Sequence, residues 1–434
     1  MHADRRTFVA ATGSALAALL ASGCSPRSLT GSVAASPYGD LATDPDGLLD
    51  LPAGFSYRVI SQLGDAMDDG GTVPDRADGM GVLQLGDGTL ALIRNHELKA
   101  KHDAERTLPA GYDRRSDGKV LSGGTTTLVL DARSLAVKRQ FRSLAGTIRN
   151  CAGGVTPWGS WLTCEEDVTR AGEGVERDHG WVFEVPADAT GLVPAVPLKA
   201  MGRFNHEAAA VDPASGIVYM TEDRENGLLY RFLPTVRDSL SKGGRLQALA
   251  VEGLSDSRNW NGGTITAGDW HAARWIDLDN PESPDDDLRL RGAKDGALVF
   301  ARGEGIHMGD GELYFCCTSG GAARLGQVFR LKPASNGRGQ LQLFFESSAA
   351  DQYNYGDNLT VAPNGHLIIC EDQSGNFVDN HLRGITPGGS AYPLARLRSQ
   401  TELAGACFSP DGKTLFVNAY SPAATLAITG PWAN

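Results

Sequence analysis

Six times along the chain the same short pattern returns: polar residues, a run of small and apolar residues, a tight Gly, Pro or Asp turn, a second run rich in aromatic and β-branched residues, then polar residues again. The copies run from Asp78 to Glu97, Cys151 to Asp167, His206 to Asp223, Glu304 to Thr318, Asp357 to Asp372, and Ala404 to Tyr420. Runs of four to six residues bounded by such turns read as strands, and no long amphipathic helical period interrupts them. Further strand-like runs follow several copies, as at Gly180-Trp-Val-Phe-Glu-Val, Gly227-Leu-Leu-Tyr-Arg-Phe and Gly326-Gln-Val-Phe-Arg-Leu. A unit of this size cannot bury its apolar face alone, so units must stack. Four strands per unit in six closing units predict an all-β fold, a six-bladed β-propeller. A β-sandwich or a pair of β domains is the alternative.

In a propeller the innermost strand of each blade starts at the mouth of the channel and the second strand returns there, so both polar ends of every copy meet at one face. That brings Asp78, Glu97, Cys151, Glu165, Glu166, Asp167, Glu207, Glu222, Asp223, Glu304, Asp357, Glu371 and Asp372 to one funnel. Carboxylates this close repel one another or take up protons unless cations lie between them. Ca²⁺, which takes six to eight oxygen ligands, suits such a set, with Asn95, Asn150, Asn205 and Asn358 as neighbouring carbonyl donors. Cys151 is open to two readings: a thiolate ligand for a softer ion such as iron or zinc, or a small buried residue under the channel. His96 and His206, beside acids of the set, read as satisfied histidines behind the ligands, with bonding a phosphate or orienting an acid as the alternative, and His307 and His366, near turns, as structural. Trp158 and Trp161 read as packing between blades, and Glu371 with Asp372 either as part of the set or as a solvated rim.

Residues 1–24 stand apart. Arg5-Arg6-Thr7-Phe8-Val9 and the Ala/Leu-rich run to Ala21 read as a twin-arginine export signal. That route carries folded chains, which suits a protein that acquires metal before export. Leu20-Ala21-Ser22-Gly23-Cys24 resembles a lipoprotein cleavage box, making Cys24 a candidate lipid anchor, with plain cleavage as the alternative. Residues 25–47 read as a linker and 48–434 as the propeller. The expected location is the periplasm or cell envelope, reached through the twin-arginine export machinery. A net charge of −12 excludes nucleic acid as a partner. The cysteines other than Cys24 sit in strand-like runs, where buried thiols, a metal ligand or disulfides are all compatible with an exported chain. No Gly-x-Ser-x-Gly elbow, phosphate-binding Walker loop or His-Glu-x-x-His helix occurs. A closed propeller has no free edge calling for a partner, so a monomer is expected.

The stretch Asn150-Cys-Ala-Gly-Gly-Val-Thr-Pro-Trp-Gly-Ser-Trp-Leu-Thr-Cys-Glu-Glu166 resembles the signature of PhoX-type alkaline phosphatases. Asn95-His-Glu97, Gly202-Arg-Phe-Asn-His-Glu207, Tyr219-Met-Thr-Glu-Asp223, Arg302-Gly-Glu304, Asp357-Asn358 and Leu415-Phe-Val-Asn418 follow in the same order. The resemblance runs from about Leu49 to about Pro422. It implies a six-bladed propeller that hydrolyses small-molecule phosphate monoesters with Fe³⁺ and Ca²⁺ at its mouth. Carried over by motif, Cys151 is an iron ligand, Glu166, Glu207, Glu304 and Asp357 are carboxylate ligands, and Arg302 is the phosphate-binding, catalytic cation. Asp78 and Glu97 join the metal set by blade position. The sequence departs from the family in its shorter length and in Gly303, where proline is usual. Two rival readings come from other classes: a calcium-dependent propeller lactonase or esterase, which needs no thiolate, and a non-catalytic binding propeller stiffened by metal.

Overall fold

In the computed structural model, residues 33–432 are described, except 87, 104–106, 335–336, 374 and 376. The export signal and Cys24 lie outside them. Hydrogen bonding groups the strands into five sheets. Ala77–Gln84, Thr89–His96, Gly123–Asp131 and Val137–Thr147 form one antiparallel four-stranded sheet, and Asn150–Val155, Ser160–Glu165 and Val182–Pro186 a three-stranded one. His206–Val211, Val218–Glu222, Leu229–Pro234 and Gly244–Val251 are joined by Trp270–Leu278 to Gly339–Glu346, Gln327–Pro333, Leu313–Cys317 and Gly303–Met308, giving nine strands. Gly356–Val361, Leu367–Glu371, His381–Ile385 and Ala391–Leu397 are extended by Leu49–Pro52 and Leu41–Ala42, the latter inside the stretch read as linker. Leu403–Phe408, Thr414–Ala419 and Ala424–Thr429 take Ser56–Gln62, from the other end of the chain, as their outer strand. The only α-helix among the described residues is Leu288–Lys294. The fold is all-β and propeller-like.

Burial follows strand position. Thr89–His96 is covered along nearly its whole length, because sheets pack against both of its faces. Outer strands such as Ser56–Gln62 are largely exposed. The two chain ends are pinned by a buried arginine: Arg94 donates through Nη1 to Ser61 Oγ (3.1 Å) and Thr425 Oγ1 (2.6 Å). With hydroxyls as its partners and water excluded, burial lowers its pKa to about 9.

The first strand of each repeated hairpin abuts the next. A Cβ on Gly79 would lie 2.5 Å from Ala152 Cα, and one on Gly305 would lie 2.7 Å from Asn358 Cα. Gly154 packs on the backbone of Ala209, and Thr221 Oγ1 donates to the Glu304 carbonyl at 2.5 Å. The Gly405 amide donates to Asn358 Oδ1 at 2.6 Å, and Asn418 Nδ2 to the Asp78 carbonyl at 2.6 Å, which brings the series back to its start. Each of these strands also carries a bulge after its opening pairs, between Ala77 and Met80, Asn150 and Gly153, His206 and Ala209, Gly303 and Ile306, Gly356 and Leu359, and Ala404 and Cys407. A bulge breaks the ladder and re-aims the side chains it frees.

Gly79→Ala is expected to destabilise the protein by about 2 kcal/mol, since backbone atoms cannot yield to the added methyl. Gly191→Ala, where nothing lies within 4 Å, should be neutral. Paired denaturant melts check this; equal midpoints would show that the strands do not meet as closely as described.

Candidate metal centre

Asp78, Cys151, Glu207, Glu304, Asp357 and Ala404 each occupy the second position of one of the bulged strands. A second set follows directly after the returning strands: Glu97, Glu166, Asp223, Thr318, Asp372 and Tyr420. A third set lies two residues before the first: Arg76, Arg149, Asn205, Arg302, Tyr355 and Glu402. In every copy the amide of the second-set residue donates to the carbonyl of the third-set residue, as from Glu97 to Arg76 (2.9 Å), Glu166 to Arg149 (2.9 Å) and Asp372 to Tyr355 (2.8 Å). The same bond links Asp223 to Asn205 (3.2 Å), Thr318 to Arg302 (2.9 Å) and Tyr420 to Glu402 (3.1 Å).

The first set supplies most of the ligand atoms. One from each of Cys151, Glu166 and Glu207 lie within 4.8 Å of one another, as do one from each of Glu207, Glu304 and Asp357. Glu207 belongs to both groups, and neither of its carboxylate oxygens has a hydrogen-bond partner. Asp78 Oδ1 is likewise buried without one, and its Oδ2 lies 3.6 Å from Cys151 Sγ. Burial, then mutual repulsion, pushes the carboxyls of Asp78, Glu166, Glu207 and Glu304 well above the usual range, and Asp357 up to about 7. Burial and the surrounding acids also push the Cys151 thiol up. Orphaned oxygens and a thiol at such spacing fit cations: hard ions for the all-carboxylate group, a softer one where Cys151 contributes.

Glu97, placed in the metal set by blade position, is also tied to two side chains. It takes Arg149 Nε on Oε1 at 2.6 Å and the Tyr420 hydroxyl on Oε2. Arg149, which the sequence reading passed over, also pairs with Glu166 Oε2 (2.5 Å) and donates Nη1 to the Glu166 carbonyl (3.0 Å). Every nitrogen of its guanidinium is engaged, making it a clamp. Arg302 sits at the equivalent position but donates only from Nε and Nη2, to Asp223 (2.8 and 3.0 Å) and Glu304 (2.9 Å). Its charge is held first by Glu304, and among the described residues its Nη1 has no hydrogen-bond partner. Both arginines have positive φ, 48° and 54°, as does Arg76 at 56°. The pattern Arg-x-Asp78, Arg-x-Cys151, Arg-x-Glu304 was the available sequence signal.

Of each acidic pair only the second member reaches the mouth, because neighbouring side chains on a strand point to opposite faces. Glu165 turns away and accepts from the Ile148 amide (2.9 Å), the Gly180 amide (2.9 Å) and His179 Nδ1 (2.7 Å). Glu222 accepts from Tyr230 (2.8 Å), and Glu371 from the Asn354 amide (2.9 Å) and Arg383 (2.8 Å). Asp167 bonds its own loop at the Thr169 amide (2.7 Å). The asparagines expected as carbonyl donors pin the fold instead: Asn95 bonds Cys151 O (3.0 Å), Ala152 O (2.8 Å) and Trp161 Nε1 (2.9 Å), and Asn150 bonds Thr163 (2.9 Å). Asn205 takes Arg224 at 2.9 Å, and Asn358 the Gly405 amide. His96 bonds Thr126 and the Asp75 carbonyl, each at 2.9 Å, and His206 bonds the Gly202 carbonyl at 2.9 Å. All six described cysteines are free thiols.

The family described as alkaline phosphatase PhoX matches residues 36–423. The chain belongs to the PhoX alkaline phosphatase family. It is thereby a phosphoric monoester hydrolase. Pseudomonas fluorescens PhoX, solved in complex with vanadate, a transition state analogue, is 18% identical with a TM-score of 0.71 over 92% of this chain and 98% of that one, a likeness of fold. A gluconolactonase from Xanthomonas campestris is 14% identical over 91% of this chain and 99% of that one, but its TM-score of 0.41 bears on nothing further. No curated protein sequence matches the chain.

Two outcomes test the PhoX site. Glu207→Gln should deplete metal from both ligand groups, whereas Glu97→Gln should leave metal content near that of the parent, measured by elemental analysis. The second concerns His179, fully buried between Glu165 and Asp113 (Nε2 to Oδ2, 3.0 Å). Burial alone would lower its pKa, but the charge of Glu165 and the bonds to both acids raise it from 6.5 to about 9. A raised folded value stabilises fully below the unfolded pKa and loses that effect as pH climbs through the folded one. His179→Gln should therefore cost on the order of 3 kcal/mol at pH near 7 and much less above pH ~10, by thermal melts at both. An equal loss at the two pH values would exclude a charged clamp.

Proposed function

We propose that this PhoX-family protein is a six-bladed, exported phosphatase that binds an iron and calcium cluster at its mouth and releases phosphate from small-molecule monoesters for scavenging. The observation that carries the reading is the placement of nine acids, Asp78, Glu97, Glu166, Glu207, Asp223, Glu304, Asp357, Asp372 and Glu402, at equivalent strand-end positions with three arginines, Arg76, Arg149 and Arg302, the last of which is held by Asp223 and Glu304 and keeps Nη1 unpartnered among the described residues. The sixfold recurrence of the bulge and of the backbone bond between the outer sets supports six blades. In that reading the nine-stranded sheet is two blades bridged by Trp270–Leu278, which pairs with Gly244–Val251 on one side and Gly339–Glu346 on the other.

Cys151, Glu166 and Glu207 would hold iron, and Glu207, Glu304, Asp357 and Asp78 calcium. Bound there, the ions supply Lewis-acid neutralisation of a phosphoryl dianion and of the leaving oxygen. The chain's own residues do the rest. Arg302, fixed by three charged bonds to two carboxylates, donates Nη1 to a phosphoryl oxygen and adds charge where it builds up in the transition state. Arg149 holds Glu166 and Glu97 at fixed separation, and the Glu165–His179–Asp113 clamp anchors the Ile148 turn that presents Cys151. Rigid positioning of this kind lowers the reorganisation needed during phosphoryl transfer. A lactonase built on calcium alone would have no use for the thiol in the first ligand group.

Export through the twin-arginine machinery, a lipid anchor at Cys24, periplasmic or envelope residence and a monomeric state complete the proposal, resting on the Arg5-Arg6 pattern, the Cys24 box and the closed arrangement of strands. Hydrolysis of a chromogenic aryl phosphate should disappear with chelator, return with calcium, and fall by roughly 10²–10³ in kcat for Arg302→Ala. Metal-replete protein that turns over no monoester would sink the reading.

A further inference from the structure

Arg302 is flanked by two loops, donating its amide to the Arg224 carbonyl (2.9 Å) and accepting the Thr318 amide on its own carbonyl (2.9 Å). Outside it, residues 256–265 bridge the same two loops. Arg258 Nη1 donates to the Glu225 carbonyl at 3.1 Å, its own carbonyl accepts the Gly321 amide at 2.9 Å, and Trp260 Nε1 donates to the Ser319 carbonyl at 2.7 Å. The Trp260 ring is packed by two guanidiniums, those of Arg258 and Arg324, each 4.4 Å from its centroid. Stacking on a ring face orders an arginine while leaving its N–H edge open.

The two arginines are not equivalent. Arg258 is neutralised by Asp256, with Nη2 to Oδ2 at 2.6 Å. Arg324 is exposed, has positive φ (55°), and has no carboxylate partner among the described residues. Ser319 and Arg224, whose carbonyls accept from Trp260 and Arg302, also carry buried polar atoms without hydrogen-bond partners, Ser319 Oγ and Arg224 Nε. A ring-stacked cation with no carboxylate partner among the described residues, on the loop whose Thr318 amide bonds the Arg302 carbonyl, forms in a chain of net charge −12 a shelf that suits an anion.

We propose that this shelf binds a second anionic group, phosphate or carboxylate, on the leaving-group side of the substrate, so that the preferred esters are those with an anionic group besides the ester phosphate. This rests on the phosphatase reading of the neighbouring centre. Arg324 is then a specificity-determining residue that touches no reacting atom.

The test compares Arg324→Ala with the parent on a sugar bisphosphate, a phosphorylated hydroxy acid and a sugar monophosphate with no other charged group. Arg324→Ala should lose about tenfold in kcat/KM, mainly through KM, on one or both esters with a second anionic group and stay within about twofold on the sugar monophosphate. Loss on the bisphosphate alone would identify the second anion as phosphate; loss on both would admit carboxylate. In parallel, alkylene bisphosphonates are titrated against simple alkylphosphonates, reading the tryptophan fluorescence that Trp260→Phe should remove. Arg324-dependent preference for the bisphosphonate with no ester turned over would leave the shelf standing and bring down the phosphatase reading. Equal effects on ligands with and without a second anionic group in both assays would overturn the shelf.

Discussion

The inner strands of this protein abut one another so closely that several of the residues between them can carry no side chain. Gly79, Gly154, Gly305 and Gly405 each lie where a Cβ would strike the backbone of the neighbouring strand. The adjacent bulges then turn the preceding residue of each strand toward the common centre. Everything distinctive about the site follows from this: acids from remote parts of the sequence share a volume that water hardly enters, and their charged forms are disfavoured there.

Such a cluster is stable only with compensating charge, and the chain supplies part of it. Arg149 and Arg302 are built into the ring by the same local geometry, one saturated by its partners and the other not. Behind the ring, Glu165, Glu222 and Glu371 face into the sheets and collect backbone amides along with His179, Arg289 and Arg383. These inward-turned acids hold the turns that aim the mouth residues. Among the mouth carboxylates, Glu207 and Asp78 keep oxygens without hydrogen-bond partners, and these are the ones most suited to a cation.

For phosphoryl transfer this division matters, because little covalent chemistry is asked of the protein and much positioning. A rigid ring in which Arg302 keeps Nη1 unpartnered among the described residues suits a phosphoryl group, and the proposed guanidinium shelf outside it would extend recognition to the rest of the ester.

The all-β class, the repeating hairpin and the family were legible in the sequence, because turn residues and alternating runs are local properties. Cys151, Glu166, Glu207, Glu304 and Asp357 are each marked by a motif or a strand start, and the fold brings them together in two groups. Local pattern could not say which member of Glu165-Glu166 or Glu371-Asp372 faces the centre, because a single residue of register reverses the face. Nor could it show that Glu97 is tied up by Arg149 and Tyr420, that Asn95 pins two strands together, or that Arg258, Trp260 and Arg324 meet. Those depend on residues far apart in the chain arriving at the same place. The sequence by itself determined which chemical groups the protein owns and roughly where along each hairpin they sit; only the closed packing of one sheet on the next decided which of them meet, because contact between blades is set by the ring and not by any stretch of chain within it.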